Sequence, residues 1–184
     1  MRVLPTELPG VLLVEPRVHR DGRGFFFESY HRRRYRQAGI EAEFVQDNHS
    51  RSEGSVLRGL HAQLRHPQGK LVRVSQGEIF DVAVDIDPSS PGFGRWIGVR
   101  LSAENCRQLY IPPGFAHGFC TLSEVAEVQY KCTDYYHPDD EITVAWDDPQ
   151  LAIDWPVARP QLSDKDARGR SLTEVAHLLR DGTT

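Results

Sequence analysis

Several polar side chains stand inside stretches otherwise built for burial. Arg58 and His61 lie in Val56-Leu57-Arg58-Gly59-Leu60-His61, Lys70 in Gly69-Lys70-Leu71-Val72-Arg73-Val74, His117 in Pro113-Gly114-Phe115-Ala116-His117-Gly118-Phe119, and Tyr130 beside Lys131. Burying such groups is unfavourable unless they pair with one another or with a ligand. Their types suggest proton chemistry. A histidine takes a proton near neutral pH, and a carboxylate partner would fix its tautomer. A tyrosine can protonate an intermediate as basic as an enolate, and a lysine or arginine nearby would stabilise the oxygen charge. Together these parts suit abstraction of a proton next to a carbonyl and its return from the other face.

A metal centre is the competing chemistry. Pro112 to His117 fits a Pro-x-Gly-x-x-His segment, but His61 is followed by Ala62 and Gln63 where a His-x-His pair would need a second imidazole. A stable divalent site generally needs three or more protein ligands. The expectation is a metal-free site.

The elements that must position these residues are strands. In Leu71 to Ile86, Phe80, Val82, Val84 and Ile86 alternate with Asp81, Ala83 and Asp85, the pattern of a strand with one face buried. Glu127 to Tyr136 alternates likewise, placing Tyr130 and Lys131 on opposite faces. Arg58 and His61, three apart on a glycine-broken strand, can both approach a pocket through a bend at Gly59. Turn signals recur at short intervals, as in Asp21-Gly22, Gln76-Gly77 and Pro112-Pro113-Gly114, which predicts an all-β sandwich or barrel with a pocket at one end or inside. Helical pattern is confined to short pieces at Tyr30 to Ala38 and Ser171 to Leu179, the second capped by Ser171 or Thr173.

The 184 residues, 39% hydrophobic, suit one domain over residues 1 to 184 with a single sizeable core. A net charge of −4 with scattered basic residues gives no ground for a nucleic-acid or anionic-membrane surface. No apolar run approaches the ~20 residues of a membrane span and Met1 to Gly10 lacks a secretory signal's apolar core, so a cytoplasmic location is expected. Cys106, Cys120 and Cys132 read as reduced, packed thiols. The 22 basic residues divide into 19 arginines and three lysines, Lys70, Lys131 and Lys165. An amine can be tuned where a guanidinium stays charged, which draws attention to the three.

Asp21 to Glu28, Phe44 to Ser52, Val56 to His61, Gln68 to Val74, Phe80 to Ile86, Ile111 to Phe119, Tyr130 to Tyr136, Trp155-Pro156 and Leu162 to Asp166 together resemble the dTDP-4-dehydrorhamnose 3,5-epimerase family. The resemblance implies a cupin-like jelly-roll β-sandwich with short peripheral helices, a homodimer, and no metal or organic cofactor. The implied substrate is dTDP-4-dehydro-6-deoxy-D-glucose, whose C4 ketone acidifies C3 and C5; inverting both gives dTDP-4-dehydro-L-rhamnose for dTDP-L-rhamnose and cell-surface polysaccharide. By motif position, His61 is similar to the general base, Asp166 to its carboxylate partner and Tyr130 to the general acid. Lys70 and His117 match positions around the C4 oxygen and sugar. Arg23, Glu28, Gln46, Asn48, Arg58, Glu141 and Lys165 match positions holding the nucleotide or sugar, and Tyr136 matches the aromatic that stacks on thymine. One departure is Ala62, where the family usually carries Tyr or Phe; a smaller side chain would enlarge the space beside His61. Relatives that invert C3 or C5 alone keep much of the same apparatus, so a single-centre epimerase and a non-catalytic sugar-nucleotide binder are the alternatives.

Overall fold

The computed structural model describes residues 1–181, and among them the two-residue periodicity becomes thirteen strands. In chain order they are β1 (Arg2–Pro5), β2 (Leu12–Glu15), β3 (His19–Asp21), β4 (Gly24–Phe26), β5 (Gln46–Glu53), β6 (Leu57–Gln63), β7 (Lys70–Gln76), β8 (Glu78–Asp85), β9 (Trp96–Ser102), β10 (Gln108–Ile111), β11 (Phe115–Thr121), β12 (Val125–Cys132) and β13 (Glu141–Thr143). One antiparallel sheet runs β1-β2-β10-β7-β12-β5, a second runs β13-β6-β11-β8-β9, and β3 with β4 forms a separate ribbon. The two sheets close on one apolar filling. Val72, Val74, Leu109 and Val128 of the first meet Ile79, Ala83, Leu101 and Phe119 of the second.

β8 departs from the expected half-buried strand. Its Phe80, Val82 and Val84, with Ile86 just beyond, join a second apolar cluster outside the sandwich, while Asp81, Ala83 and Asp85 on the other face are equally buried. The reason is tertiary: β8 is an interior strand, and α2 (Leu172–Asp181) lays Leu172 and Val175 over its outer face. Ser171 caps that helix reciprocally with Glu174: its hydroxyl accepts from the Glu174 N–H at 3.3 Å while the Glu174 carboxylate accepts from the Ser171 N–H at 2.8 Å. The other helix, α1 (Arg32–Gln37), buries Tyr35 among Val14, Ile40, Leu71 and Tyr110 on the outside of the first sheet. Among the described residues, no helix is long and apolar enough to cross a membrane.

Polar residues begin where the apolar filling stops. Along the inward faces of β12 and β7, the cross-strand pair Val128–Val74 is followed by Tyr130–Val72 and then Cys132–Lys70. On β11, Phe119 of the core is followed by His117. Burying a Val or Leu stabilises by about 1.5–3 kcal/mol, so lining this end with polar groups forgoes stability in return for a cleft. The strand expected over Glu127 to Tyr136 ends at Cys132, and Tyr135 and Tyr136 lie beyond it, exposed. The three cysteines are buried and unpaired.

Candidate active site

His61 lies on a deformed strand. Residues three apart on a regular strand face opposite ways, but Arg58 and His61 of β6 pair with Phe119 and His117 of β11, only two apart. The extra residue on β6 is absorbed as a bulge at Gly59, whose φ is +112°. A Cβ there would stand 2.6 Å from the Gly118 Cα and 2.7 Å from the His117 carbonyl oxygen. Glycine is therefore required twice over, and the bulge turns Arg58 and His61 into one cleft.

That cleft, about 610 Å³, is lined from both sheets. His61 Nε2 lies 2.6 Å from Asp166 Oδ1. Asp166 begins a 3-10 turn (Asp166–Arg168), and the Ser163 hydroxyl donates to its Oδ2 at 2.9 Å. Burial works to raise the Asp166 carboxyl, but the hydrogen bonds from His61 and Ser163 outweigh it and hold its pKa below the ordinary value. An ionised carboxylate only accepts, so His61 Nε2 is the nitrogen that donates to Asp166.

Tyr130 stands on the opposite sheet from His61. Burial pushes its phenol up to about 12, so it carries its proton throughout the neutral range. Lys70 is buried, with Nζ 3.4 Å from the His61 carbonyl oxygen; desolvation draws its pKa down against the pull of Cys132, Glu141 and Asp81. His117, also buried, holds Nε2 2.8 Å from Asp81 Oδ1. Desolvation pushes the imidazole pKa down despite the carboxylate, which favours the neutral ring. Among the described residues, no three His, Cys, Asp or Glu side chains gather into a metal-ligating group.

The outer end is more exposed. Tyr136 donates its hydroxyl to Glu141 Oε2 at 3.0 Å, and Lys165 Nζ reaches the same oxygen at 2.8 Å. The Tyr136 N–H donates to Gln46 Oε1 at 2.9 Å, and Gln46 in turn bonds Asn48 at 3.2 Å. Arg58 is braced by the Ser52 hydroxyl at 3.0 Å and the Arg51 carbonyl at 3.1 Å. Lys131 points away and pairs with Asp47 at 2.8 Å, as its strand position predicts.

Eleven of the thirteen predicted site residues line this one cleft: His61, Lys70, Tyr130, Asp166, Gln46, Asn48, Arg58, His117, Tyr136, Glu141 and Lys165. Two do not. Arg23 lies at the turn between β3 and β4, 91% exposed and paired with Asp21, and Glu28 pairs with Arg34 at 3.1 Å. Both sit on the separate ribbon and the segment following it, which no strand pairing joins to either sheet of their own chain. Ala62 lines this cleft beside His61 and also packs in the outer cluster with Leu64, Ile86 and Ile142, where it borders a second cavity of about 430 Å³. Sequence reasoning missed Asp81 and Ser163 as partners; a carboxylate amid Phe80 to Ile86 was the available signal for the first.

The family model for dTDP-4-dehydrorhamnose 3,5-epimerase matches residues 5–174. A dTDP-4-dehydrorhamnose 3,5-epimerase of Pseudomonas aeruginosa is 56% identical over 177 residues, 95% of this chain and 98% of that protein. The crystal structure of a dTDP-6-deoxy-D-glucose-3,5-epimerase from Legionella pneumophila with dTDP-4-keto-L-rhamnose superposes with a TM-score of 0.93 at 53% identity, covering 97% of this chain and 96% of that one. A 3'-monoepimerase from Streptomyces bikiniensis with dTDP-quinovose gives 0.89 at 32% identity, over 97% and 90%. The two-sheet sandwich is thus the cupin-like fold of these neighbours, and the chain belongs to the dTDP-4-dehydrorhamnose 3,5-epimerase family.

Proposed function

We propose a division of labour among the cleft residues for the 3,5-epimerisation step of dTDP-L-rhamnose biosynthesis, the reaction this chain catalyses. The observation that carries it is the placement of base and acid on opposite sheets: His61, oriented by Asp166, on one wall and Tyr130 on the other. A sugar ring held between them loses a proton to His61 Nδ1 from one face and regains one from the Tyr130 hydroxyl on the other, which inverts the carbon. C3 and C5 both flank the C4 ketone, so one enolate-stabilising group serves both. Lys70 is that group, and a depressed ammonium pKa makes it a ready donor to the enolate oxygen. Neutral His117, its Nε2–H engaged by Asp81, offers Nδ1 to a sugar hydroxyl.

Arg58 and Lys165 carry the positive charge for the diphosphate, Gln46 and Asn48 contact nucleotide or sugar, and the half-exposed Tyr136 ring stacks on thymine with Glu141 holding its hydroxyl. Arg23 and Glu28 fit this reading in a homodimer, where the ribbon of one copy, with its exposed Phe25 and Phe26, reaches the cleft of the other. We read the whole chain as one such domain, acting in the cytoplasm on its nucleotide-sugar substrate.

Inversion of both centres is tested by proton NMR of the dTDP-sugar in heavy water. Deuterium is expected at C3 and C5; incorporation at one carbon alone would make the enzyme a single-centre epimerase, and none at all a binding protein. For the dimer, an Arg23→Ala chain mixed with a His61→Asn chain should recover activity that neither homodimer has.

A further inference from the structure

Gln63 lies two residues beyond His61 on β6, so its side chain enters the same cleft, and it is only 5% exposed. Its carboxamide is spent on the chain around Tyr136. Nε2 donates to the Tyr135 carbonyl at 3.2 Å and to the His66 carbonyl at 2.6 Å, while Oε1 accepts the His137 N–H at 2.7 Å. One amide thus grips the peptide groups on both sides of the Tyr136 Cα. The segment it grips has left β12, which ends at Cys132, and has not yet reached the 3-10 turn Pro138–Asp140.

Apart from Gln63, Tyr136 is held by its own N–H, which donates to Gln46 Oε1 at 2.9 Å, and by its hydroxyl. The ring is 47% exposed, and its hydroxyl meets Glu141 at the cleft rim. A flat ring presents a stacking surface only if its backbone is held, because a mobile one must be ordered at the moment of binding and loses affinity accordingly. The loop Leu64 to His66 reinforces the hold. Asp140 accepts the N–H groups of Arg65 and His66 at 2.9 and 2.8 Å, and the His66 and His137 rings stack with centroids 4.0 Å apart.

We infer that Gln63 is a positioning residue for the nucleobase: its carboxamide presets the Tyr136 ring for stacking, so that one strand carries the base at 61 and the latch of the nucleotide platform at 63. The inference rests on the reading of Tyr136 as the thymine-stacking residue. Gln63 touches no reacting atom in this scheme, so its removal should be felt in nucleotide affinity and leave the proton-transfer step alone.

The test measures dTDP affinity by titration calorimetry, with steady-state KM and kcat, for the wild type, Gln63→Leu, Tyr136→Ala and the double variant. Losing these buried bonds is expected to weaken dTDP binding and raise KM about tenfold, with kcat within about threefold of wild type. In the Tyr136→Ala background Gln63→Leu should add less than about twofold, because the platform it holds is gone. Should Gln63→Leu fail to fold, Gln63→Glu replaces it. That side chain keeps an acceptor for His137 but turns a carboxylate on the two carbonyls, and the same tenfold loss is expected. Unchanged dTDP affinity, a fall in kcat at constant KM, or a full additional loss in the Tyr136→Ala background would each overturn the inference. Tyr136→Ala binding dTDP as the wild type does would overturn the stacking assignment itself and the inference with it.

Discussion

The cleft contains two histidine–carboxylate pairs with nearly the same hydrogen bond, 2.6 Å for His61–Asp166 and 2.8 Å for His117–Asp81. Their surroundings differ. The His61 side chain is 24% exposed and its carboxylate comes from a turn 105 residues away, with both oxygens partnered by His61 and Ser163. The His117 side chain is 6% exposed, Asp81 lies on the adjacent strand β8, and the buried Asp81 Oδ2 has no hydrogen-bond partner among the described residues. The chemical couple is the same, yet burial gives it two behaviours. An imidazole open to the cleft can take a proton from a substrate, whereas a sealed one is held neutral and serves as a fixed hydrogen-bonding post.

Exchanging or removing members of the two pairs tests this difference. The largest effect should come from His61→Asn: deuterium exchange at C3 and C5 falls by about 10³-fold or more, with dTDP affinity within about twofold, whereas His117→Asn keeps measurable exchange. Equal losses in the two variants would remove the distinction. Tyr130→Phe, which takes away the proton donor on the facing sheet, should lower the rate of inverted product by about 10²-fold or more, read by NMR at both carbons.

Asp166→Asn keeps the contact but lets the wrong tautomer form, and a fall in kcat of about 10²-fold is expected; Asp81→Asn should act more on thermal stability than on kcat. Lys70→Arg conserves charge in a buried slot fitted to an amine, so turnover should drop about tenfold, more than for most exposed Arg→Lys changes. Near-normal turnover would detach Lys70 from the C4 oxygen.

The smallest effect concerns pH and stability. Because the folded His117 has a pKa below the ordinary 6.5, the unfolded chain binds the extra proton first. The contribution is therefore complete above pH 6.5 and declines as the pH falls from there toward the folded value. The melting temperature should decrease from about pH 7.5 to about pH 5.5, and decrease less in His117→Gln, which keeps a donor for Asp81 without the titration. An identical acid slope in both proteins would mean that His117 is not what the fold holds neutral.

Much of this was legible before any fold was known. Polar residues amid apolar strand sequence marked Arg58, His61, Lys70, His117 and Tyr130, and all five line the cleft. Alternation correctly set Lys131 against Tyr130, because a strand's side chains obey their period wherever it is placed. Less local features escaped. β8 read as half-buried because a helix nearly a hundred residues later supplies its second cover. Arg23 and Glu28 shared motifs with the site yet fold away from it, on a ribbon whose destination a single chain does not set.

What the sequence determined by itself was therefore the chemistry and the sheet-forming pattern, since residue type and strand period are local properties. Tertiary structure alone decided which carboxylate meets which histidine and which histidine is sealed, while the bend expected at Gly59 took the form of a bulge that pairs Arg58 and His61 with residues two apart on β11. These depend on register and on packing between distant segments, and burial created there separates two otherwise similar histidine–aspartate pairs into one open to the cleft and one sealed from solvent.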